Sequence, residues 1–245
     1  MGWESSNLIG LMTGRRQLLL PGGAWAALVF LQGCLFDSHY GPPAILFVGN
    51  SITLHGQYPA VGWYQFNGMA ATALDSDYVH QTLRRLETKG IGARAEFGRR
   101  DCDDCDTIGV FEEFRGNIEA IMDEISPRWV VVQLGENLTG ELGNSKSLLG
   151  YRNLVMELRK SGTFQIFCIT AWGNGSMNNP QNMALQQAVA GLTRVHIVNI
   201  TSVASDPANY GDSLLYANRA VQWHPGNRGM DAIAAILADS MSAYP

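Results

Sequence analysis

Five short runs of apolar residues, rich in β-branched side chains, occur between residue 44 and residue 200. Each run is continuous rather than alternating, which is typical of strands that are buried on both faces of a parallel sheet. We therefore predict five parallel strands, at Ala44–Val48, Ala93–Phe97, Trp129–Leu134, Phe164–Thr170 and Val195–Ile200.

The segments between these runs carry apolar residues at helical spacing. Three segments show it clearly, with apolar positions Val79/Leu83/Leu86, Ile118/Ile121/Ile125 and Leu148/Tyr151/Leu154/Leu158. An Ala-rich stretch from about Arg228 to Ser240 predicts a final helix. Alternating strands and helices predict an α/β fold, a three-layer α/β/α sandwich around a five-stranded parallel sheet in the flavodoxin-like arrangement. The functional loops are then expected at the carboxyl ends of the strands.

The first forty residues follow a different pattern, typical of an export signal. Arg15 and Arg16 precede an apolar stretch, Gln17 to Phe30, that is too short and too broken by Pro and Gly to span a bilayer stably. The stretch ends at Leu31-Gln32-Gly33-Cys34, which resembles the lipobox of bacterial lipoproteins. A leader cleaved without lipidation and a packed N-terminal helix are the alternatives.

This resemblance implies a signal peptide over residues 1–33, and we predict a linker over 34–43 and one folded domain over 44–245. A lipid on Cys34 would place the protein in the bacterial cell envelope, periplasmic or at the cell surface, and would be its one contact with a membrane. The sequence does not determine the oligomeric state.

Composition narrows the choice of partner and of cysteine chemistry. A chain of 245 residues, 46% of them hydrophobic, can build one full core, and its net charge of -5 argues against a nucleic-acid partner.

Cys168 lies in an apolar run and is predicted to be an inert buried thiol. For Cys102 and Cys105, a local disulfide is favoured over redox catalysis, because the neighbouring acidic residues raise a thiol pKa. No second Cys/His pair at metal-binding spacing accompanies them, so no metal site is predicted.

Three polar segments follow the predicted elements at positions that favour catalysis. The first strand runs into Gly49-Asn50-Ser51, which places a serine at a strand-to-helix turn, with a backbone N–H that can donate to an oxyanion. The third strand runs into Gly135-Glu136-Asn137, and His224-Pro225 immediately precedes the last helix. Proline fits the first turn of a helix, so this histidine is expected at the helix start.

Together these segments resemble blocks I, III and V of the SGNH hydrolases, also called GDSL-like hydrolases, over residues 44–240. The resemblance implies that Ser51 is the nucleophile and His224 its general base. It also implies an oxyanion hole formed by the N–H groups of Ser51 and Gly98 and by the amide of Asn137. The family requires no metal and no organic cofactor.

One departure from the family concerns the residue that orients the histidine. The usual Asp three residues before His224 is replaced by Val221, so the orienting group must come from elsewhere. A backbone carbonyl and Gln222 are favoured, and Asp212 or Asp206 are the alternatives. The sequence Gly-Asp-Ser-Leu at 211–214 follows no strand, so Ser213 is not a candidate nucleophile.

The resemblance predicts a serine esterase that hydrolyses small acyl esters, in particular O-acetyl groups on carbohydrate. Substrate contacts are expected from Asn50, Trp63 and Glu136, and an aromatic loop (Tyr58, Trp63, Tyr64, Phe66) either stacks on sugar rings or caps the core. The alternatives are an O-acyltransferase acting on an envelope polysaccharide and a lipid-anchored carbohydrate-binding protein that has lost its catalytic activity.

Overall fold

A five-stranded parallel sheet forms the centre of the molecule. We describe a computed structural model over residues 41–97, 118–137, 145–160, 162, 164–173 and 175–244. Every neighbouring pair of strands is parallel, and the order across the sheet is β2-β1-β3-β4-β5. The predicted strands are confirmed, with these bounds: β1 Ala44–Gly49, β2 Arg94–Phe97, β3 Trp129–Gln133, β4 Gln165–Ile169 and β5 Val195–Val198.

Seven α-helices lie within the described residues, and four of them were predicted from apolar spacing. Their bounds are α1 Tyr78–Thr88, α2 Ile118–Ile125, α3 Ser145–Lys160, α4 Pro180–Val189, α5 Thr201–Ala204, α6 Arg219–Gln222 and α7 Asn227–Ser242. The sequence analysis missed α4, whose apolar spacing is weak. Its start is nevertheless marked, because the Asn179 side chain accepts a hydrogen bond from the Asn182 N–H and Pro180 occupies the first turn.

Two large apolar clusters, one on each face of the sheet, form most of the core within the described residues. Ile45 and Phe47 of β1 pack in one cluster with side chains of α1 and α7, whereas Leu46 and Val48 pack in the other with side chains of α2, α3 and α4. Alternate residues of a strand point to opposite faces, so continuous apolar strands bury both faces at once. The predicted three-layer α/β/α sandwich is confirmed.

The two edge strands are less buried than predicted. All five residues of β3 are buried, whereas none of the four residues of β2 is, and only Val198 is buried in β5. An edge strand has a neighbour on one side only, so its apolar run does not imply full burial.

Several predictions lie outside the described residues: the signal segment, the lipid-bearing Cys34, the Cys102/Cys105 pair and Gly98. Cys168 is buried as predicted, and burial raises its pKa to about 12, which keeps the thiol protonated and unreactive. No helix within the described ranges is long and apolar enough to cross a membrane.

Candidate active site

The Ser51 hydroxyl is presented by a tight turn at the carboxyl end of β1. The N–H groups of Thr53 and Leu54 both donate to the Asn50 carbonyl, at 2.8 and 3.0 Å. A side chain at Gly49 would lie 2.9 Å from the backbone oxygen of Gln133, so the turn requires a residue without Cβ. The sequence analysis predicted that a helix follows the serine turn. Only a single turn forms there, and the next α-helix begins at Tyr78, so that prediction is wrong.

His224 lies opposite Ser51, between α6 and α7. The Ser51 Oγ and the His224 Nε2 are 2.7 Å apart, although the two residues are 173 positions apart in the chain. The other ring nitrogen, Nδ1, is 2.7 Å from the backbone oxygen of Ala220. The imidazole therefore links a serine hydroxyl on one side to a backbone carbonyl on the other.

The two hydrogen bonds of His224 determine its tautomer. A carbonyl oxygen can only accept, so Nδ1 carries the proton and Nε2 accepts from the Ser51 hydroxyl in the neutral ring. His224 is 8% exposed, and burial lowers its pKa to about 4. The carbonyl of Ala220 opposes this shift, and the charge of the nearby His55 adds to it. At neutral pH the ring is a neutral base.

The side chains considered as orienting groups form other hydrogen bonds. The Gln222 amide donates to the backbone oxygen of Tyr216 at 2.6 Å, and Asp212 accepts from the Leu214 N–H at 2.8 Å. Asp206 pairs with Arg228 at 2.9 Å. The group that accepts the hydrogen bond from His224 Nδ1 is therefore a backbone carbonyl, that of Ala220.

Ser51 and His224 line an open cleft of about 380 Å³. Its lining residues are Ser51, His55, Tyr58, Val61, Met69, Glu136, Asn137, Ala220, Trp223 and His224. Asn137, the predicted oxyanion donor, is exposed at this cleft, whereas Gly98 lies outside the described residues. The segments after β1 and β3 and before α7 therefore meet at one place.

Solved structures that share this architecture include esterases. The esterase EstA from Pseudoalteromonas sp. is 13% identical, with a TM-score of 0.55 over 82% of this chain and 97% of that one. A family 3 carbohydrate esterase from Clostridium thermocellum is 17% identical, with a TM-score of 0.56 over 83% and 97%. Est24, a carbohydrate acetylesterase from Sinorhizobium meliloti, is 13% identical, with a TM-score of 0.52 over 82% and 99%.

The chain has the SGNH-hydrolase fold. No family model matches its sequence, and no curated protein matches it either. The fold is therefore shared with these esterases at very low sequence identity.

Within this SGNH-hydrolase fold, Trp63 does not occupy the substrate position that was predicted for it. Its side chain is 1% exposed and packs with Met69, Ala70 and Val221 in a small apolar cluster. Tyr58 and Trp223 line the cleft instead, at 40% and 37% exposure.

Asn50 and Glu136 have contacts within the protein. Asn50 is 5% exposed, and its backbone oxygen closes the serine turn. The Glu136 Oε1 accepts from the backbone N–H of Trp172 at 2.8 Å and from the Gln133 amide. Burial raises the pKa of Glu136, and these donors partly oppose the shift. Glu136 lines the cleft, but its carboxyl group joins the loops after β3 and β4.

Sequence reasoning favoured a backbone carbonyl as one of the groups that could orient His224, but it could not assign the carbonyl to Ala220, because every residue supplies one. Sequence reasoning did not place His55 among the predicted site residues, yet its ring is 6% exposed, lines the cleft and donates through Nδ1 at 2.6 Å to the Gly56 oxygen, which as a carbonyl can only accept. Ser213 lies in an exposed loop, as predicted. Within the described ranges, no three His, Cys, Asp or Glu side chains are grouped closely enough to bind a metal ion.

Proposed function

We propose that this protein is a serine esterase that hydrolyses small acyl esters, with Ser51 as nucleophile and His224 as general base. The observation that carries the proposal is the 2.7 Å contact between Ser51 Oγ and His224 Nε2 in an open cleft. A neutral histidine at hydrogen-bond distance is the arrangement that activates a serine hydroxyl.

In the proposed reaction, the Ser51 Oγ attacks the ester carbonyl carbon while its proton passes to His224 Nε2. The imidazolium that forms is stabilised by the bond from Nδ1–H to the Ala220 oxygen. The negative charge on the carbonyl oxygen is received by the Ser51 N–H and the Asn137 amide, together with the Gly98 N–H that the sequence predicts.

The tetrahedral intermediate collapses when the bond to the alcohol oxygen breaks, and His224 gives its proton to the leaving alcohol. Water then attacks the acyl-enzyme while His224 takes one of its protons. Release of the acid returns the proton to Ser51 Oγ, so the chain's own residues complete the cycle.

We propose O-acetyl groups on carbohydrate as the substrate. The cleft of about 380 Å³ suits a small acyl group, and the exposed rings of Tyr58, Tyr64 and Phe66, on the segment that follows the serine turn, suit the faces of sugars. Two proteins of the same fold are named as carbohydrate esterases. The family's Asp three residues before the histidine is absent here, and in this proposal the Ala220 carbonyl takes its place as the partner of Nδ1.

The decisive experiment compares the wild-type protein with Ser51→Ala and Ser213→Ala on p-nitrophenyl acetate and on an acetylated sugar. We expect Ser51→Ala to lose at least about 10³-fold in kcat, because the nucleophile is removed. Ser213→Ala, a matched change at an exposed serine, should keep wild-type rates. Equal rates for wild type and Ser51→Ala would refute the esterase. Transfer of the acetyl group to an added sugar, in place of release as acetate, would identify the acyltransferase instead.

The cellular location is a separate proposal that rests on sequence. We propose that Cys34 carries a lipid and that the domain is exported to the bacterial cell envelope, because Leu31-Gln32-Gly33-Cys34 follows an apolar stretch typical of a signal peptide. Labelled palmitate should enter the wild-type protein and not Cys34→Ser. Equal labelling of the wild-type protein and of Cys34→Ser would refute lipidation at Cys34.

A further inference from the structure

Trp172, just after β4, is bonded at both its backbone and its side chain. Its backbone N–H donates to the Glu136 Oε1 at 2.8 Å, and its indole Nε1–H donates to the backbone oxygen of Trp223 at 2.7 Å. The side chain is 2% exposed. Because a buried donor is costly to leave unpaired, the indole fixes the position of the carbonyl that directly precedes His224.

The segment that carries His224 depends on contacts with the rest of the fold. Helix α6 has only four residues, too few to be stable alone. The bond from His224 Nδ1 to Ala220 lies within this segment, so it orients the ring relative to the segment but not relative to Ser51. The indole bond from Trp172 joins the segment to the end of β4, and β4 is connected through β3 to β1, where Ser51 follows.

A second contact at the same turn reinforces the first. A side chain at Gly173 would lie 2.5 Å from the Trp223 ring, so that ring rests directly on the bare backbone of residue 173. The Trp223 ring also meets the His224 ring edge-on, with centroids 5.2 Å apart and planes at 90°. The turn after β4 therefore contacts both the carbonyl and the ring of Trp223, and Trp223 contacts His224.

We propose that Trp172 is a positioning residue for His224, which keeps the imidazole at hydrogen-bond distance from Ser51. This inference rests on the proposed function. In this chain no carboxylate stands three residues before the histidine, so the indole bond to the Trp223 carbonyl supplies part of the alignment. Glu136 fixes the backbone of Trp172 in turn. A displacement of about 1 Å in a catalytic group can cost roughly 100-fold in rate.

The test replaces the indole by a ring that cannot donate. Trp172→Phe keeps an aromatic ring and removes the N–H. Trp129→Phe is the matched control, because Trp129 is also buried and its indole donates to the backbone oxygen of Tyr244 at 3.0 Å, at the amino end of β3. We expect kcat on p-nitrophenyl acetate to fall about 10- to 100-fold in Trp172→Phe, with KM changed less than about twofold. Trp129→Phe should lower thermal stability by a similar amount but keep kcat.

A second readout does not depend on activity. NMR titration should place the wild-type His224 pKa at about 4, as its burial dictates. Trp172→Phe should move it toward the ordinary value of about 6.5, because a displaced ring meets water, whereas Trp129→Phe should not move it.

The outcomes separate the two proposals. Equal kcat values and equal titration of His224 in the two variants would overturn the positioning role. A wild-type protein without esterase activity would refute the proposed function, and the NMR comparison would still decide whether Trp172 positions the histidine.

Discussion

A single imidazole carries the proposed chemistry, and its environment differs from that of a triad histidine. Loss of the orienting Asp in chymotrypsin-type proteases costs about 10⁴ in kcat, largely because the ring adopts the wrong tautomer. Here the Ala220 carbonyl accepts only from a protonated Nδ1, so the useful tautomer is still imposed. Burial lowers the pKa of the ring to about 4, and the neutral Ala220 carbonyl, which stabilises the imidazolium less than a carboxylate does, offsets only part of this shift.

This pKa predicts activity at acid pH. The base must be unprotonated, so kcat/KM should reach half of its plateau near pH 4 rather than near the ordinary histidine value of about 6.5. Because the folded pKa lies below the unfolded one, the unfolded chain binds protons first, and this contribution to folding stability is lost progressively as the pH falls from 6.5 to 4. The rates should therefore be measured well below the unfolding temperature, with circular dichroism as the control for folding. A half-maximum near pH 6.5 would contradict the buried neutral ring.

Among the elements, the sharp end of β1 has a tight steric requirement beside the site. Gly49 lies where a Cβ would meet the Thr53 side chain and the Gln133 backbone oxygen. The Gln133 oxygen belongs to the neighbouring strand β3, so the clash cannot be relieved by rotating one side chain. The serine turn therefore depends on the absence of a side chain one position before Asn50.

Gly49→Ala should destabilise the fold and displace Ser51. We expect a loss of about 1–3 kcal/mol in the free energy of unfolding, typical of an added methyl in a packed region, together with a fall in kcat. Gly41→Ala is the control, because a Cβ there meets nothing within 4 Å. Urea denaturation of the two variants and their kcat values make the comparison. A Gly49→Ala protein as stable and active as Gly41→Ala would show that the turn relaxes without cost.

At the scale of the whole molecule, the strands and most of the long helices could be predicted, because runs and periodic patterns of apolar residues determine them. The five strands and the helices α1, α2, α3 and α7 follow from such runs. The convergence of Ser51, Asn137 and His224 was implied by the resemblance to the SGNH hydrolases, and for Ser51 and Asn137 it agrees with their positions after parallel strands. The burial of Trp63 and the incomplete burial of β2 and β5 did not follow, since they depend on what packs beside each element.

Substitutions on α3, which packs against one face of the sheet, can separate an effect on folding stability from an effect on catalysis. Leu154 and Leu149 both lie on α3, but Leu154 is 0% exposed in the cluster beneath β3 and β4, whereas Leu149 is 55% exposed. Leu154→Ala should lower the free energy of unfolding by about 2–5 kcal/mol, because it leaves a cavity, and Leu149→Ala should change it by less than about 0.5 kcal/mol. Neither residue lines the cleft, so both variants should keep wild-type kcat well below their unfolding temperatures. Denaturant melts and rates on p-nitrophenyl acetate test both statements, and equal stability of the two variants would mean that α3 does not seal this face of the sheet.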